Sequence, residues 1–497
     1  MVSETQRQTL GDLSEKIQEA LVAPLKAFRP RYLPLLMVYF AYGALGLVAV
    51  ADSFWVKKAL TLSPADLAQL GVWLTLPWTV KMVFGELVDT VPILGSQRRI
   101  YVFLGGSLVA LSLIMLAGTA GGWITFARPE TLYITASLMT VIGVVLQDVV
   151  ADAMSTEVVD RTEPDGTPRA KADVDRDLGM VQVLGRLALS AGLFLTAGLS
   201  GWLAQIYSYE TVFLLGLVVP LISVTGALLV KLETSESRPT DWRILGGGLA
   251  FGAVVTALAL GQVPFNQEIV FAISMAVVIA MLARVTASVD QATRERILFA
   301  SIVIFVFRAT PLTGEGYRWF SIDALGFDEA FFGTLGQIGA AITLIATWML
   351  SDAITRRPVT TVMLWLTVLG TVLSIPGILL VFNVHHWTEA TFGFGARTIA
   401  LIDTAAVSPL AQLGMIPMLT LVAIYAPRDH RAIWFALMGS FMNLALVAGQ
   451  LQTKYLNTLF VVGRGSYEAL PALVVTVAAL GFIVPVAVIL TLGRRVR

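Results

Sequence analysis

Cysteine is absent from this sequence, and histidine occurs only three times. Without cysteine the chain has no disulfide, no thiol nucleophile and no cysteine-ligated metal. Three histidines are too few for a histidine-built metal site, so we expect neither a metal nor a cofactor. The chain also lacks a phosphate-binding loop of the GxxxxGK[ST] type, which argues against ATP-driven work by this chain alone.

Charge is scarce as well, at 14% of residues, and the 34 basic side chains balance the 34 acidic ones. We therefore expect no nucleic-acid partner. Hydrophobic residues make up 56% of the chain and the mean hydropathy is +0.78. They come in runs of about 20, the length that crosses ~30 Å of hydrocarbon. The runs fall at about 33–56, 65–88, 100–119, 131–155, 178–204, 209–230, 244–262, 268–288, 297–320, 329–350, 358–382, 396–425, 431–456 and 469–492. The sequence thus predicts an all-α polytopic membrane protein with about 14 spans.

The runs and the polar segments between them predict four regions. They are a cytoplasmic amphipathic helix in 1–31, a six-helix bundle in 32–231, a linker with two inserted spans in 232–296 and a second six-helix bundle in 297–497. The amphipathic helix is inferred from apolar side chains at helical spacing, opposite a charged face, and we expect it to lie on the membrane surface. A partner-binding helix is the alternative.

Basic residues are distributed unevenly across the predicted membrane. Of the 34 Lys and Arg residues, 24 fall in segments on the side of the N-terminus and 7 on the other side. Lys81, Arg186 and Arg308 lie inside predicted spans. By the positive-inside rule both termini are cytoplasmic, and we expect a bacterial cytoplasmic (inner) membrane.

The second half of the chain echoes the first. Leu70-Gly71 opens the second span as Leu335-Gly336 opens the tenth, and Asp89 before one basic loop corresponds to Asp352 before another. Parallel repeats of six spans resemble the layout of the major facilitator superfamily, in which the solute site lies between the halves near mid-membrane.

Three charged side chains from one half fall at a similar depth, at 1.5 Å per helical residue: Lys81, Asp148 and Arg186. Asp152 lies about one turn nearer the cytoplasm. Charges inside a membrane are expensive and pair with one another or serve function. Asp148–Arg186 and Asp152–Lys81 are structural pairs in one interpretation. In the other, Asp148 and Asp152 exchange protons, or a base holds an anionic solute.

The second half contributes Arg308 near mid-membrane, with Glu315 two turns farther out. Pro311 and Gly314 between them are typical of a broken helix that lines a cavity. Arg308 is a candidate ligand for a solute carboxylate, and a buried pair with Asp403 is the alternative.

Two further side chains complete the candidate substrate contacts. Gln147 precedes Asp148, and Trp78 lies deep enough to stack on a flat ring, with core packing as its alternative. Asp52, near the outer end of the first span, is a proton site, an outer gate or a solvated helix end paired with Lys57.

Asp89, Arg98 and Arg99 surround the loop between the second and third spans. An acid that ends one span and bases that begin the next could form a cytoplasmic gate that latches the halves together. Contact of the arginines with lipid phosphates is the alternative.

Residues 76–106 resemble the folate–biopterin transporter family. The matching residues are Leu76, Pro77, Trp78, Lys81, Gly85, Asp89, Pro92, Ile93, Gly95, Arg98, Arg99 and Tyr101, followed by Asp148–Ala153 and Glu157. The resemblance implies a symporter that moves folate-like or pterin-like anions, coupled to protons. It also implicates Lys81, Asp89, Asp148, Asp152 and Arg186.

The function predicted is therefore secondary active transport by alternating access, not enzymatic catalysis. Muropeptide permeases share much of the same pattern and are one alternative. A non-transporting membrane scaffold or assembly factor is another. The expected partners are a small anionic solute, protons and the lipid bilayer, and the sequence does not indicate an oligomeric state.

Overall fold

The computed structural model describes residues 28–496 except positions 97, 164, 230–239, 241, 262, 288, 356 and 426–430. Within these residues the chain is helical, with three isolated β-bridges in loops. The segment expected to form the amphipathic helix lies almost wholly outside the described residues.

The first half of the chain forms nine α-helices that make six crossings. They are α1 (Leu33–Ala44), α2 (Ala49–Ala59), α3 (Pro64–Thr79), α4 (Lys81–Thr90), α5 (Arg99–Ala120), α6 (Pro129–Glu157), α7 (Lys171–Ile206), α8 (Tyr209–Leu215) and α9 (Val218–Leu229). A short 3₁₀ segment, Leu45–Val48, joins α1 to α2.

The rest of the chain forms a central hairpin and the second half. The hairpin is α10 (Trp242–Leu260) and α11 (Asn266–Val285), and the second half is α12 (Gln291–Arg308), α13 (Glu315–Asp323), α14 (Glu329–Thr355), α15 (Val359–Leu373), α16 (Ile375–Val381), α17 (Val384–Phe392), α18 (Ala396–Ile424), α19 (Arg431–Leu459) and α20 (Leu470–Leu492). We call the side of the bundle that holds residues 28–32, 158–170 and 493–496 the terminal side, and the opposite side the distal side.

Twelve helices among the described residues are long and apolar enough to cross a membrane, and the bent pair α3/α4 makes a thirteenth span. The pair α12/α13 is shorter and more polar, yet it carries the chain from the terminal to the distal side between α11 and α14. The described residues thus contain twelve or thirteen candidate spans where the sequence predicted about fourteen.

Breaks in two crossings have local causes. Pro77 lies inside α3, where it lacks an N–H and crowds the preceding turn, and α4 departs by 40° after Val80. The sequence did not predict this bend. Between α12 and α13 the chain has no regular secondary structure, and Gly314 has φ of 73°, which a glycine adopts without strain. The helix break predicted at Pro311 and Gly314 is confirmed.

The two halves meet along two pairs of helices, α7 with α14 and α3 with α19. Glycine permits the first pair to approach backbone to backbone. A Cβ on Gly201 would lie 2.4 Å from the carbonyl oxygen of Glu329, and one on Gly333 would lie 2.8 Å from the Cα of Gly201. These two glycines form a tight contact between the halves on the distal side.

The central hairpin contacts both halves. Gln267, which is fully buried, donates from Nε2 to the carbonyl of Gln69 on α3 at 2.9 Å. On the other side, Lys454 of α19 forms an ion pair with Glu268 at 2.7 Å. The hairpin is thus fastened at its distal end across the α3–α19 contact.

Gly333→Ala should weaken closure of the distal side, because the added Cβ meets backbone that cannot move aside. Spin labels on Thr61→Cys and Glu468→Cys, in a chain with no native cysteine, would report longer distal distances than in wild type. Gly481→Ala is the matched control, since nothing lies within 4 Å of a Cβ there. Unchanged distances in Gly333→Ala would contradict the assignment of this contact.

Candidate functional site

Lys81 is the centre of a charge cluster in the first half. Its Nζ forms an ion pair with Asp148 and a second pair with Asp152 at 2.5 Å. Both aspartates lie on α6, four residues apart and hence on one face of the helix. The bend after Val80 makes Lys81 the first residue of α4. The structure therefore brings together three of the residues selected from the sequence.

The three charged side chains of the cluster differ in their exposure. The Asp148 side chain is 12% exposed, Lys81 is 32% exposed and Asp152 is 50% exposed. Tyr39 of α1 donates its hydroxyl to Asp152 at 2.6 Å. One acid is thus enclosed and the other is open, and the lysine bridges them. Sequence reasoning missed Tyr39, because a tyrosine in a membrane span gives no signal of its partner.

Arg186 does not bond to Asp148, which is paired with Lys81 instead. The Asp148–Arg186 pair considered from the sequence is therefore wrong. Arg186 is exposed on α7, and among the described residues it has no carboxylate within 4 Å.

Gln147 lies on a different face of α6 from the aspartates and is buried. Its Nε2 donates to the carbonyl of Val102 and to the Ser223 hydroxyl, both at 2.9 Å. Gly105 and Gly106 leave room for its side chain. Both amide hydrogens are used by the protein, so we assign Gln147 to holding α6 against α5 and α9.

Trp78 lies where the halves meet. Its ring stacks on Tyr42, with centroids 5.9 Å apart and planes at 24°. Its carbonyl accepts from Nδ2 of Asn443 on α19 at 3.1 Å. Trp78 precedes Lys81 by three residues, so this contact brings the charge cluster close to the α3–α19 contact.

Arg308 lies on the second half next to the same contact. Its Nε donates to the carbonyl of Met442 at 3.0 Å, and Nη1 lies 3.0 Å from the sulfur of Met415. Among the described residues no carboxylate lies within 4 Å of it. The alternative pairing with Asp403 is wrong, because Asp403 accepts from the backbone N–H of Gly377 at 2.9 Å and caps α16. Arg308 is a largely buried cation held by neutral groups.

Glu315 lies apart from these residues, on the distal side. It forms an ion pair with Arg318 at 3.5 Å, and Arg318 donates to Ser53 of the first half. The neighbouring Asp52 accepts from the hydroxyl of Tyr133 at 3.3 Å. The structure thus separates Glu315 from Lys81 and joins it to the distal contact between the halves.

The distal side is closed by bonds between the halves. Lys57 pairs with Asp323, and Lys58 pairs with Glu329 at 3.1 Å. Arg464 donates to the carbonyls of Lys57 at 2.8 Å and of Leu60 at 2.6 Å. Among the described residues, the hydrogen bonds and ion pairs that join the two halves lie between mid-membrane and the distal side.

The predicted gate residues Asp89, Arg98 and Arg99 lie on the terminal side, where Arg98 and Arg99 contact residues of the first half. Arg98, 4% exposed, forms ion pairs with Asp89 at 2.7 Å and with Glu157 at 2.5 Å. It thus ties the end of α4 to the end of α6. Arg99 lies over the ring of Phe103. In the second half, Asp352 corresponds to Asp89 and is followed by Arg356. Arg356 and the side chain of Asp352 lie outside the described residues.

A second ionic contact joins the segment before α1 to the loop after α6. Arg31 donates to Asp160 at 2.6 Å. This hydrogen bond holds the pKa of the Asp160 carboxyl below its ordinary value, although partial burial of the carboxyl acts in the opposite direction. Because folding lowers the pKa of Asp160, this contact adds to stability above the ordinary aspartate pKa, and that contribution is lost as the pH falls through the folded value.

Comparison with known proteins identifies relatives over most of the chain. The sequence model described as the BT1 family matches residues 43–496. A folate-biopterin transporter of Synechocystis is 28% identical over 434 residues, which cover 86% of this chain and 75% of the relative. A probable folate-biopterin transporter 4 of Arabidopsis thaliana is 23% identical over 461 residues, covering 87% and 89%. Folate transporter 1 of Plasmodium falciparum is 20% identical over 438 residues, covering 87% and 74%.

Solved structures match in fold. A POT family transporter in complex with 5-aminolevulinic acid superimposes with a TM-score of 0.66 at 14% identity, over 94% of this chain and 96% of that one. A peptide transporter POT in complex with sulfate gives 0.61 at 16% identity, over 95% of both chains. At these identities the likeness concerns the fold alone, and the predicted facilitator-type fold is confirmed.

Lys81→Met should destabilise the first half, because it leaves two carboxylates without their shared cation. The loss should be about 1–3 kcal/mol, between the values for exposed and buried pairs, since the cluster is partly open. The measurement is the apparent melting temperature in detergent. Lys58→Met, which removes an exposed pair, is the control and should shift it less.

Adding Asp148→Asn to Lys81→Met should recover part of the loss, because only one carboxylate then remains without its cation. A double variant less stable than Lys81→Met would contradict the shared pairing.

Proposed function

The chain belongs to the BT1 family, and on that premise we propose that it is a proton-coupled secondary transporter of folate-like or pterin-like organic anions. That it is an integral membrane transporter and not an enzyme follows from its relatives and its fold. The solute, the coupling ion and the roles of individual residues are the proposal. The observation that carries it is the sharing of Lys81 by two carboxylates beside the contact between the halves.

The net charge of the Lys81 cluster leaves room for one proton. One lysine facing two aspartates leaves one negative charge in excess when all three groups are ionised. A single proton on one of the aspartates neutralises the cluster. Asp152 is half exposed, so it can exchange protons with the terminal side, while the enclosed Asp148 holds a proton during the change of access.

Two cations could bind the solute, because among the described residues neither Arg308 nor Arg186 has a carboxylate within 4 Å. Arg308 is held by a carbonyl and a thioether, neither of which balances its charge. A carboxylate that enters between the halves would supply that charge and gain charge-assisted hydrogen bonds. Arg186, exposed on the opposite half, offers a second cation, and the Tyr42–Trp78 stack offers an aromatic surface for a flat heterocycle.

Alternating access requires that the distal contacts open and the terminal side close. The bonds of Lys57, Lys58 and Arg464 hold the distal side closed in this conformation. The proposal assigns Asp89, Arg98 and Arg99 to a gate on the terminal side. Because basic residues are in excess on the terminal side, we propose that this side is cytoplasmic and that the membrane is a bacterial inner membrane.

Uptake into proteoliposomes tests the function. Wild type should accumulate labelled folate or a reduced pterin when an inward proton gradient is imposed, and much less without it. If neither compound enters, the folate assignment fails. Muropeptides are then tested in the same assay, and absence of all uptake would favour a scaffold role.

Arg308→Gln should raise the KM for the solute by about tenfold or more, because a hydrogen bond to a charged group contributes ~1.5–3 kcal/mol. Arg397→Gln is the matched control, since Arg397 pairs with Asp328 on the distal surface of the same half. Equal KM values for Arg308→Gln and wild type would remove Arg308 from the solute site.

A further inference from the structure

A cavity distant from the charge cluster lies between the central hairpin and the second half. Its volume is about 820 Å³, within the ~300–1,000 Å³ typical of ligand pockets. It is bounded by α11 on one side and α12 on the other, with Phe441 of α19 at its back. The two helices that flank it are joined by a short loop, and the cavity lies between them.

The lining changes character along the membrane normal. Deep in the cavity it is apolar, formed by Phe271, Met275, Ile279, Ile302 and Phe305. At the terminal-side end, where α11 finishes and α12 begins, the lining is polar, formed by Thr286, Gln291, Arg294 and Glu295. An occupant must therefore be apolar over most of its length and polar at one end.

The cavity is open towards the surrounding bilayer. Ile279 of α11 and Leu298 of α12, which line it, are 53% and 56% exposed. Molecules dissolved in the membrane can therefore enter it sideways, with their chains at the depth of the apolar lining.

The polar end offers both signs of charge. Arg294 is oriented by hydrogen bonds from Nη2 to the carbonyls of Thr286 at 3.2 Å and Ala287 at 3.0 Å. Among the described residues no carboxylate lies within 4 Å of its guanidinium, so its other donors are available to a phosphate. Glu295, the next residue, accepts from Gln291 at 3.4 Å and adds an acid at the same end.

We infer that this cavity is a binding site for one phospholipid whose head group contains both a phosphate and a primary ammonium, such as phosphatidylethanolamine. Its acyl chain fills the space between α11 and α12, its phosphate binds Arg294, and its ammonium binds Glu295. Gln267 and Glu268 fasten the hairpin to both halves at its distal end. The lipid adds packing between α11 and α12 towards the terminal side, where an empty gap would forfeit dispersion contacts.

Native mass spectrometry of the purified full chain, released from liposomes of phosphatidylethanolamine and phosphatidylglycerol in equal amounts, tests this assignment. Wild type should retain one phosphatidylethanolamine. Ser301→Trp, which fills the cavity, should lower retention by about tenfold or more. Val277→Trp is the matched control, because Val277 lies on α11, is half exposed and is outside the lining.

The head group is tested by two arginine variants. Arg294→Gln should lose most of the bound phosphatidylethanolamine, and Arg284→Gln, an exposed arginine on the same side but outside the lining, should retain it. Equal melting temperatures of each variant and its control establish that the fold is retained.

Three outcomes would overturn the site. They are occupancy by detergent alone, equal retention of the two lipids, and equal loss in Ser301→Trp and Val277→Trp. None of these bears on solute uptake, which tests the transport function separately.

Discussion

One lysine shared by two aspartates is the interaction on which the rest of the candidate site depends. Lys81 bonds Asp148 and Asp152 because they lie one turn apart on α6 and because the bend after Val80 begins α4 at the lysine. In a membrane, three such charges persist only in contact with one another or with water. We propose that this grouping of an enclosed acid, an open acid and one base is where the first half holds a proton.

The second half supplies a different kind of group, a cation with neutral partners. Arg308 is joined to the first half through two adjacent residues of α19, since Met442 accepts from Arg308 and Asn443 donates to Trp78. A movement of the halves along α3 and α19 would therefore change the surroundings of both Arg308 and Lys81. This shared contact is the physical basis on which we propose that solute and proton are coupled.

Sequence reasoning found the spans, the facilitator-type fold and the charged residues, because hydropathy and depth follow from helical rise. It brought Lys81 and Asp148 to one level by counting 1.5 Å per residue. Its structural interpretation paired Asp148 with Arg186 instead of Lys81, since depth alone does not give the direction of a side chain. The bend at Pro77, by contrast, has a sequence signal that could have been used.

Contacts between residues that are far apart in the sequence are harder to predict than the spans. The distal bonds join Lys57 to Asp323 and Arg464 to the end of α2, across more than half of the chain. Nothing local to either residue indicates the other. The same limit explains the wrong pairing of Arg308 with Asp403, because the partner of Asp403 is a backbone N–H freed by a helix break that the sequence analysis did not predict.

The most direct test of the coupling is proton movement driven by solute. Proteoliposomes containing a pH-sensitive dye would receive external solute without an imposed gradient, with wild type or Asp148→Asn reconstituted. The account predicts that the lumen acidifies with wild type but not with Asp148→Asn, although the variant still exchanges labelled solute across the membrane. Acidification by Asp148→Asn to the same extent as wild type, or solute entry through wild type without any proton, would contradict it.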